Sequence, residues 1–331
     1  MGEVIDPRVE LLADVPILGA AEDLFERRPI ATRLVELAVA EPMTLPRVVA
    51  LDGPCGAGKS SVLRMVAEIV AERAGLAIVS IDAEEYGSAQ ALTSEIGSAV
   101  SKLFSELGVA KETDKIRDTL VNYGGIVSGV IGLAGVKVNL TSALERSAAS
   151  LRTEIANNLQ LAKKRLVLSV DHVDYMPSGE LRAVFAALQM YAAIPYITIV
   201  IAIDRHALDR AAVAPAVSTG AGVASPLDPR AFDRLVHTHL VLPPADRIML
   251  ARVMVGGLDR LGARLGRDLS SAIALFDPEG GQGLALVHTP RDAKRAINAL
   301  SAALPLVTAS ADLEGAAFAI VQRVLGSRAA G

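Results

Sequence analysis

Residues 47–70 read RVVALDGPCGAGKSSVLRMVAEIV, and this stretch decides the fold. Its apolar run from Val48 to Leu51 is too short for a helix and sufficiently β-branched for a buried strand. A glycine-rich turn follows, and apolar residues then recur at helical spacing as far as Gly75, a typical helix end. The next apolar run, LAIVSI at residues 76–81, predicts a second buried strand. Strand, helix and strand in this order predict a βαβ unit with parallel strands.

Three more apolar runs continue the pattern, and helix-like stretches separate them. They predict strands at residues 166–170, 196–203 and 239–242. This alternation predicts an α/β three-layer sandwich, with a mainly parallel sheet covered by helices on both faces. Beyond Pro243 and Pro244 the pattern is wholly helical, which predicts a helical C-terminal domain.

We therefore expect a helical segment at residues 1–45 that packs on the core, an α/β core at 46–242 and a helical domain at 243–331. A glycine-rich insertion near 112–140 interrupts the core, and residues 119–136 within it carry no charge. Crossing a membrane takes about 20 mostly apolar residues, so this interrupted stretch favours a loop or hairpin. Membrane contact or a groove for a partner helix is the alternative.

The composition limits the classes of protein and partner. The chain has 331 residues, 51% of them hydrophobic, so it can bury a large core and is not disordered as a whole. A net charge of -4 and an aromatic content of 3% without tryptophan argue against general nucleic-acid binding. One cysteine and no signal-peptide pattern predict a reducing, cytoplasmic location, and the abundance of alanine and arginine suggests a bacterial source.

The octet GPCGAGKS at residues 53–60 has the G-x-x-x-x-G-K-[ST] spacing of a phosphate-binding P-loop. The flanking strand and helix make an ordinary glycine turn a poor alternative. Cys55 lies inside the loop without a general base beside it, so we expect it to fill space rather than act as a nucleophile.

This spacing has a physical purpose. Glycines let the backbone curl so that successive amides point at phosphate oxygens, and the following helix adds its positive N-terminal end. Lys59 would neutralise the β- and γ-phosphates of ATP, and Ser60 would offer its hydroxyl to Mg²⁺. The predicted nucleotide-binding residues are Gly53, Pro54, Cys55, Gly56, Ala57, Gly58, Lys59, Ser60 and Ser61.

A second motif, RLVLSVDHVD at residues 165–174, supplies a carboxylate at the tip of an apolar strand, the Walker B arrangement. Asp171 is this tip and is expected to hold Mg²⁺ or its waters. Hydrolysis also needs a group that orients the attacking water, normally an acid beside the tip, and here the neighbour is His172. Asp174 reaches the site if the chain turns helical, and a helix N-cap is its alternative role. The motif predicts nucleotide binding and leaves turnover open.

Two further residues are candidates for contact with the nucleotide. Asp204 follows the predicted strand 196–203, at the edge where ligands bind in open α/β sheets. It would sense the γ-phosphate through water or cap the next helix. Arg291 forms a cluster of cations with Lys294 and Arg295, which either reaches the phosphates or lies on a solvated helix face.

Six strings, taken in this order, resemble the KAP family of P-loop NTPases over nearly the whole chain. They are DVPILGAAEDLFERRPIATRL, GPCGAGKSS, LVLSVDHVDY, ITIVIAIDRHAL, FDRLVHTHLVLPPADR and TPRDAKRAINAL. The resemblance implies an ASCE-type sheet, related to AAA+ and STAND NTPases, in which the strand that ends at Asp204 separates the P-loop and Walker B strands. It also implies that the stretch near Tyr123 is a shortened or lost form of the membrane insertion that many members carry.

The chain departs from the family pattern at Walker B. Members usually show D-D-h-D-R, whereas residues 171–175 read DHVDY. His172 stands where a second aspartate is expected, and Tyr175 stands where an arginine is expected. The first departure puts the catalytic rate in doubt.

Together these features predict an ATP-binding switch with slow Mg²⁺-dependent hydrolysis, cytoplasmic or membrane-peripheral, that acts with a protein partner or a second copy of itself. A non-hydrolysing nucleotide-binding scaffold is the alternative, motivated by His172. A small-molecule kinase is disfavoured because no acceptor pocket or arginine-rich lid is identifiable. The predicted catalytic residues are Lys59, Asp171, His172, Asp174, Asp204 and Arg291, and the predicted metal ligands are Ser60 and Asp171.

Overall fold

The structure is a computed structural model. It describes residues 11–17, 19–42, 44–106, 142–213, 230–308 and 312–326. The predicted insertion near 112–140 lies outside the described residues. The chain forms two compact units, which we call the helical unit and the sheet unit. The described residues of the helical unit fall within Met1–Glu26, Cys55–Gly58 and Pro243–Gly331, and those of the sheet unit within Arg27–Pro54 and Lys59–Leu242.

The sheet unit contains a five-stranded sheet in which every neighbouring pair is parallel, with the order β2-β3-β4-β1-β5. Its strands are β1 (Val48–Asp52), β2 (Leu76–Asp82), β3 (Arg165–Asp171), β4 (Ile197–Ile203) and β5 (Thr238–Val241). The predicted α/β fold is confirmed, and each strand end lies within one residue of its predicted place. β4 separates β1 from β3, as the family resemblance implied.

Helices supply the other two layers of the sheet unit. They are α1 (Arg28–Ala38), α2 (Lys59–Ala71), α3 (Ala89–Glu106), α4 (Ser142–Leu161), α5 (Ser178–Ala192), α6 (Arg205–Val213) and α7 (Arg230–Leu235). Val48 and Ala50 join one apolar cluster with residues of α3 to α7. Val49 and Leu51 are also buried, and strand alternation turns them to the opposite face, where α1 and α2 contact the sheet. In the described ranges, no helix has both the length and the apolar character required to cross a bilayer.

The helical unit has its own apolar core, in which Phe276 is fully buried. Its helices are α8 (Arg247–Leu265), α9 (Ser270–Ala274), α10 (Pro290–Ala303) and α11 (Leu313–Leu325). Thr289 and Asp292 form a capping box at the start of α10, which fixes where this helix begins. α8 and α10 approach closely, since a Cβ on Gly257 would lie 2.6 Å from the Ile297 side chain.

One face of α10 holds residues 11–17, which are part of the same unit. Asn298 accepts a hydrogen bond from the Leu12 backbone N–H at 2.7 Å and donates one to its carbonyl at 2.9 Å. Lys294 Nζ donates to two further carbonyls of this segment at 3.1 and 3.0 Å. The Lys294 cation of the predicted cluster therefore binds the N-terminal segment.

Candidate functional site

Four aspartates lie along the carboxyl edge of the sheet. Asp52, Asp82 and Asp171 end β1, β2 and β3, and Asp204 follows β4. Parallel strands bring their carboxyl ends to one edge, which is where ligands bind in open α/β sheets. The sequence motifs predicted Asp171 and Asp204 as site residues but not Asp52 and Asp82. Asp52 and Asp82 could have been found from the sequence, because each directly follows the apolar run of a predicted strand.

The P-loop sequence lies between β1 and α2, in the strand–loop–helix arrangement that the motif requires. Gly56 and Gly58 have φ values of 84° and 100°, a backbone conformation that side chains strain. Lys59 is buried at the first turn of α2, and its ammonium donates to the carbonyls of Gly53 at 2.7 Å and Pro54 at 3.3 Å. The loop is thus held in a tight curl, as a phosphate cradle requires.

His172 links the P-loop helix to the tips of two strands. Its Nε2 lies 3.5 Å from Ser60 Oγ, and its Nδ1 lies 2.9 Å from Asp82 Oδ1. Its backbone N–H donates to Asp171 Oδ1 at 2.9 Å. The structure therefore brings together three residues that the sequence analysis selected, and it adds Asp82.

Two local features distinguish His172. Its backbone is left-handed, with φ at 54°, which costs about 1–3 kcal/mol for a residue other than glycine. The Tyr175 ring meets the imidazole edge-on, with the ring centroids 5.2 Å apart. The two positions that depart from the family pattern at Walker B are thus in contact with each other.

Asp174 lies in the short turn Val173–Tyr175 that follows His172. Its Oδ2 accepts a hydrogen bond from the Asp204 backbone N–H at 3.2 Å. Its Oδ1 is buried and has no hydrogen-bond partner among the residues that the structure describes. Burial raises the pKa of Asp174, the nearby Lys59 ammonium and two backbone hydrogen bonds oppose that rise, and the Asp204 charge adds to it.

Asp204 and Asp52 both hold the start of α6. Asp204 Oδ1 accepts from the Ala207 backbone N–H at 3.2 Å, which is the helix-capping role given above as its alternative. Asp52 Oδ1 accepts from the Arg205 backbone N–H at 3.0 Å, and Asp52 Oδ2 lies 3.2 Å from His239 Nε2. Buried Asp204 therefore has a structural task whether or not it senses phosphate.

Within the helical unit, Arg291 contacts residues 55–58 of the P-loop sequence. Its Nη1 lies 2.9 Å from Cys55 Sγ, and its backbone N–H donates to the Gly56 carbonyl at 3.4 Å. Its Nε pairs with the Asp14 carboxylate at 2.9 Å, a partner that the sequence analysis missed. Arg291 of the predicted cluster therefore contacts the loop.

The donor set suits a magnesium ion. Mg²⁺ prefers oxygen ligands and is usually bound through one or two protein groups plus phosphate and water. The Ser60 hydroxyl and the Asp171 carboxylate provide such oxygens, and both contact His172. Asp174 Oδ1 is a further buried oxygen, and it has no hydrogen-bond partner in the part of the chain that the structure describes. The residues present therefore fit the ion.

Comparison with known proteins finds the family that the motifs resemble. Residues 27–307 match the model described as the KAP family P-loop domain. The phage T7 exclusion protein of Escherichia coli K12 is 22% identical over 325 residues, which covers 87% of this chain and 42% of that protein. The chain thus spans less than half the length of this relative.

Two solved structures are also similar. One is the Aeropyrum pernix ORC1 protein in complex with DNA, with a TM-score of 0.44 and 16% identity, covering 96% of this chain and 68% of the other. The second is the Aeropyrum pernix ORC2 protein, with a TM-score of 0.45 and 14% identity, covering 98% of this chain and 72% of the other.

Proposed function

Since this chain belongs to the KAP family of P-loop NTPases, we propose that it binds ATP with Mg²⁺, hydrolyses it slowly and acts as a nucleotide-dependent switch. The observation that carries this proposal is the contact network of Ser60, Asp171 and His172, which links the first turn of the P-loop helix to the Walker B tip. Nucleotide binding follows from membership of this family.

The P-loop residues would bind the phosphates. The amides of Gly56, Ala57 and Gly58 would donate to phosphate oxygens, and the N-terminal end of α2 would add its partial positive charge. The Lys59 ammonium now donates to two loop carbonyls, and it would exchange them for the β- and γ-phosphates. Phosphate contact by Arg291, which touches Cys55 within the helical unit, stays a prediction.

Hydrolysis joins a water oxygen to the γ-phosphorus and breaks the bond to the β–γ bridging oxygen, whose electron pair leaves with ADP. The proton lost from water passes to the phosphate product and solvent. Ser60 and Asp171 would hold the Mg²⁺, which when bound neutralises phosphate charge. We assign the orientation of water to His172 and Asp174, because His172 directly follows the Walker B tip and Asp174 lies in the turn after it.

A non-hydrolysing scaffold is the second candidate, and His172 is the observation that favours it. An imidazole replaces the acid usually found at this position. The P-loop would then bind nucleotide, but the acid that normally orients water for hydrolysis would be missing. Turnover that exceeds that of a Lys59→Ala variant would reject the scaffold. Transfer of phosphate to a metabolite would point instead to a small-molecule kinase.

Calorimetric titration with ATP, GTP and ADP, with and without magnesium, tests the proposal. We expect saturable ATP binding that magnesium strengthens, together with phosphate release faster than that of Lys59→Ala. Light scattering during the titration reports self-association, since a switch of this kind would act through a second copy or a protein partner. Absence of affinity for all three nucleotides would contradict the proposal.

Similarity to the phage T7 exclusion protein supports phage exclusion as the cellular role of the switch. The test is the plating efficiency of phage T7 on cells that express the chain, compared with cells that express Lys59→Ala. A lower efficiency with the parent alone would support the role. Equal plating on both strains would oppose it.

A further inference from the structure

Asp82 is a carboxylate to which neither the motifs nor the family pattern gives a task, and it makes a short contact with His172. Asp82 Oδ1 lies 2.9 Å from His172 Nδ1. We propose that Asp82 is a positioning residue, which holds the His172 imidazole so that Nε2 accepts a hydrogen bond from the water that attacks the γ-phosphate. This inference rests on the proposed function, since it concerns the hydrolysis step alone.

The hydrogen bond fixes which ring nitrogen carries hydrogen. A carboxylate oxygen at this distance accepts, so Nδ1 must be the donor. In a neutral imidazole the second nitrogen then presents a lone pair. That nitrogen, Nε2, is the one that lies 3.5 Å from Ser60 Oγ. The acceptor of His172 is thus directed to the residue expected to meet Mg²⁺ and the phosphates.

The fold places Asp82 for this task. The register of β2 and β3 pairs Asp82 with Asp171, so the residue after Asp171 comes within reach of the Asp82 carboxylate. Asp82 Oδ1 also accepts from the Glu84 backbone N–H at 3.1 Å, which restrains the carboxylate. The Glu84 side chain lies 3.9 Å from Nδ1, too far for a hydrogen bond. Asp82 is therefore the partner that sets the ring orientation.

In this proposal His172, held by Asp82, replaces the acid that is expected beside the Walker B tip. An acid beside the Walker B tip accepts a hydrogen bond from water through its own oxygen. Here Asp82 accepts from Nδ1, and Nε2 on the far side of the ring accepts from water. Pre-organisation of this kind lowers the cost of ordering the water before attack.

The experiment measures steady-state ATP hydrolysis and ATP affinity for the full chain and for Asp82→Ala, His172→Ala and the double variant. We expect Asp82→Ala to lower kcat about 10- to 100-fold, the usual loss when the partner that orients a functional histidine is removed. ATP affinity should stay within about twofold, because Asp82 acts on the water and not on the phosphates. In the His172→Ala background, Asp82→Ala should lower kcat by less than about a further twofold. The reason is that Asp82 acts through the His172 side chain, which this background lacks. Where Asp82→Ala fails to fold, Asp82→Asn keeps the side-chain shape, and we expect it to lower kcat at least about tenfold.

Glu84→Ala is the matched control, because Glu84 lies in the same turn and its carboxylate is exposed. We expect Glu84→Ala to have the same kcat as the unsubstituted chain. The ligand atoms of Asp82, Glu84 and His172 lie within 4.8 Å of one another, so an equal loss in Glu84→Ala would replace the proposal with a cation held by all three.

Four further results overturn the proposal. The first is an unchanged kcat in Asp82→Ala, and the second is the same fold loss with and without His172. The third is a parent that binds ATP but releases no more phosphate than Lys59→Ala, which removes the positioning role and leaves nucleotide binding standing. The fourth is a parent without any ATP affinity, which removes the proposed function as well.

Discussion

Asp82 and Asp171 occupy partner positions in the register of β2 and β3, so two carboxylates stand side by side at the ends of adjacent strands. His172 contacts both: its Nδ1 lies 2.9 Å from Asp82 Oδ1 and 3.9 Å from Asp171 Oδ2. One imidazole N–H thus faces the acidic edge of the sheet while the opposite nitrogen faces Ser60. The sheet register, and not the local motif alone, therefore determines what His172 can do.

The Lys59 ammonium should supply much of the ATP affinity. A hydrogen bond to a charged group contributes about 1.5–3 kcal/mol, so Lys59→Ala should weaken ATP binding about 10- to 100-fold. Calorimetric titration measures this loss. Lys294→Ala is the matched control, because Lys294 bonds to backbone carbonyls of residues 11–17. Equal losses in the two variants would mean that Lys59 does not touch the phosphates.

The sequence was sufficient to predict the strands and the P-loop because both depend on local signals. Short apolar runs mark buried strands, and the glycine spacing marks the loop. The partners of His172 and Arg291 could not be predicted in this way. Asp82 and His172 are 90 positions apart, and Asp14 and Arg291 are 277 apart. Such contacts follow from the strand order and the helix packing, which no local pattern specifies.

Cys55 is the single cysteine of the chain, so alkylation reports directly on the loop. ATP should shield it, because the phosphates would lie against the same backbone. At an ATP concentration ten times the dissociation constant, the reaction with iodoacetamide should slow about tenfold. The measurement is the rate of modification by mass spectrometry, with Cys55→Ser as the unlabelled control. An unchanged rate at saturating ATP would contradict the placement of the phosphates.

Gly56 should tolerate no side chain, for two separate reasons. Its φ is 84°, and a Cβ there would lie 2.7 Å from Arg291 Cβ. Gly56→Ala should therefore lower the free energy of unfolding by about 1–3 kcal/mol and weaken ATP binding. Denaturant titration followed by circular dichroism measures the first effect.

Two other glycines separate the contributions at Gly56. Gly58 has φ at 100° with open space around it, so Gly58→Ala isolates the backbone strain. Gly87 has open space without a positive φ, so Gly87→Ala should change stability by less than about 0.5 kcal/mol. If Gly56→Ala cost no more than Gly87→Ala, the loop would not have the described conformation.

Asp174 should make stability depend on pH in a predictable direction. Burial raises its pKa in the folded chain, although the Lys59 ammonium opposes the rise. The folded state therefore keeps the proton at pH values where the unfolded chain has lost it. The stability that comes from this tighter proton binding is fully present below the unfolded pKa of Asp174, and it is lost as the pH rises through the folded pKa. Asp174→Asn cannot ionise, so it should not lose stability in this way.

The stability of Asp174→Asn relative to the parent should thus increase from about pH 4 to pH 7, the range above the ordinary aspartate pKa. Thermal unfolding of both proteins across this range measures the difference. Asp259→Asn, at an exposed position of α8, is the control and should show a difference that stays nearly constant. A difference for Asp174→Asn that falls as the pH rises would mean that the folded chain favours the carboxylate, with its attraction to Lys59 outweighing burial.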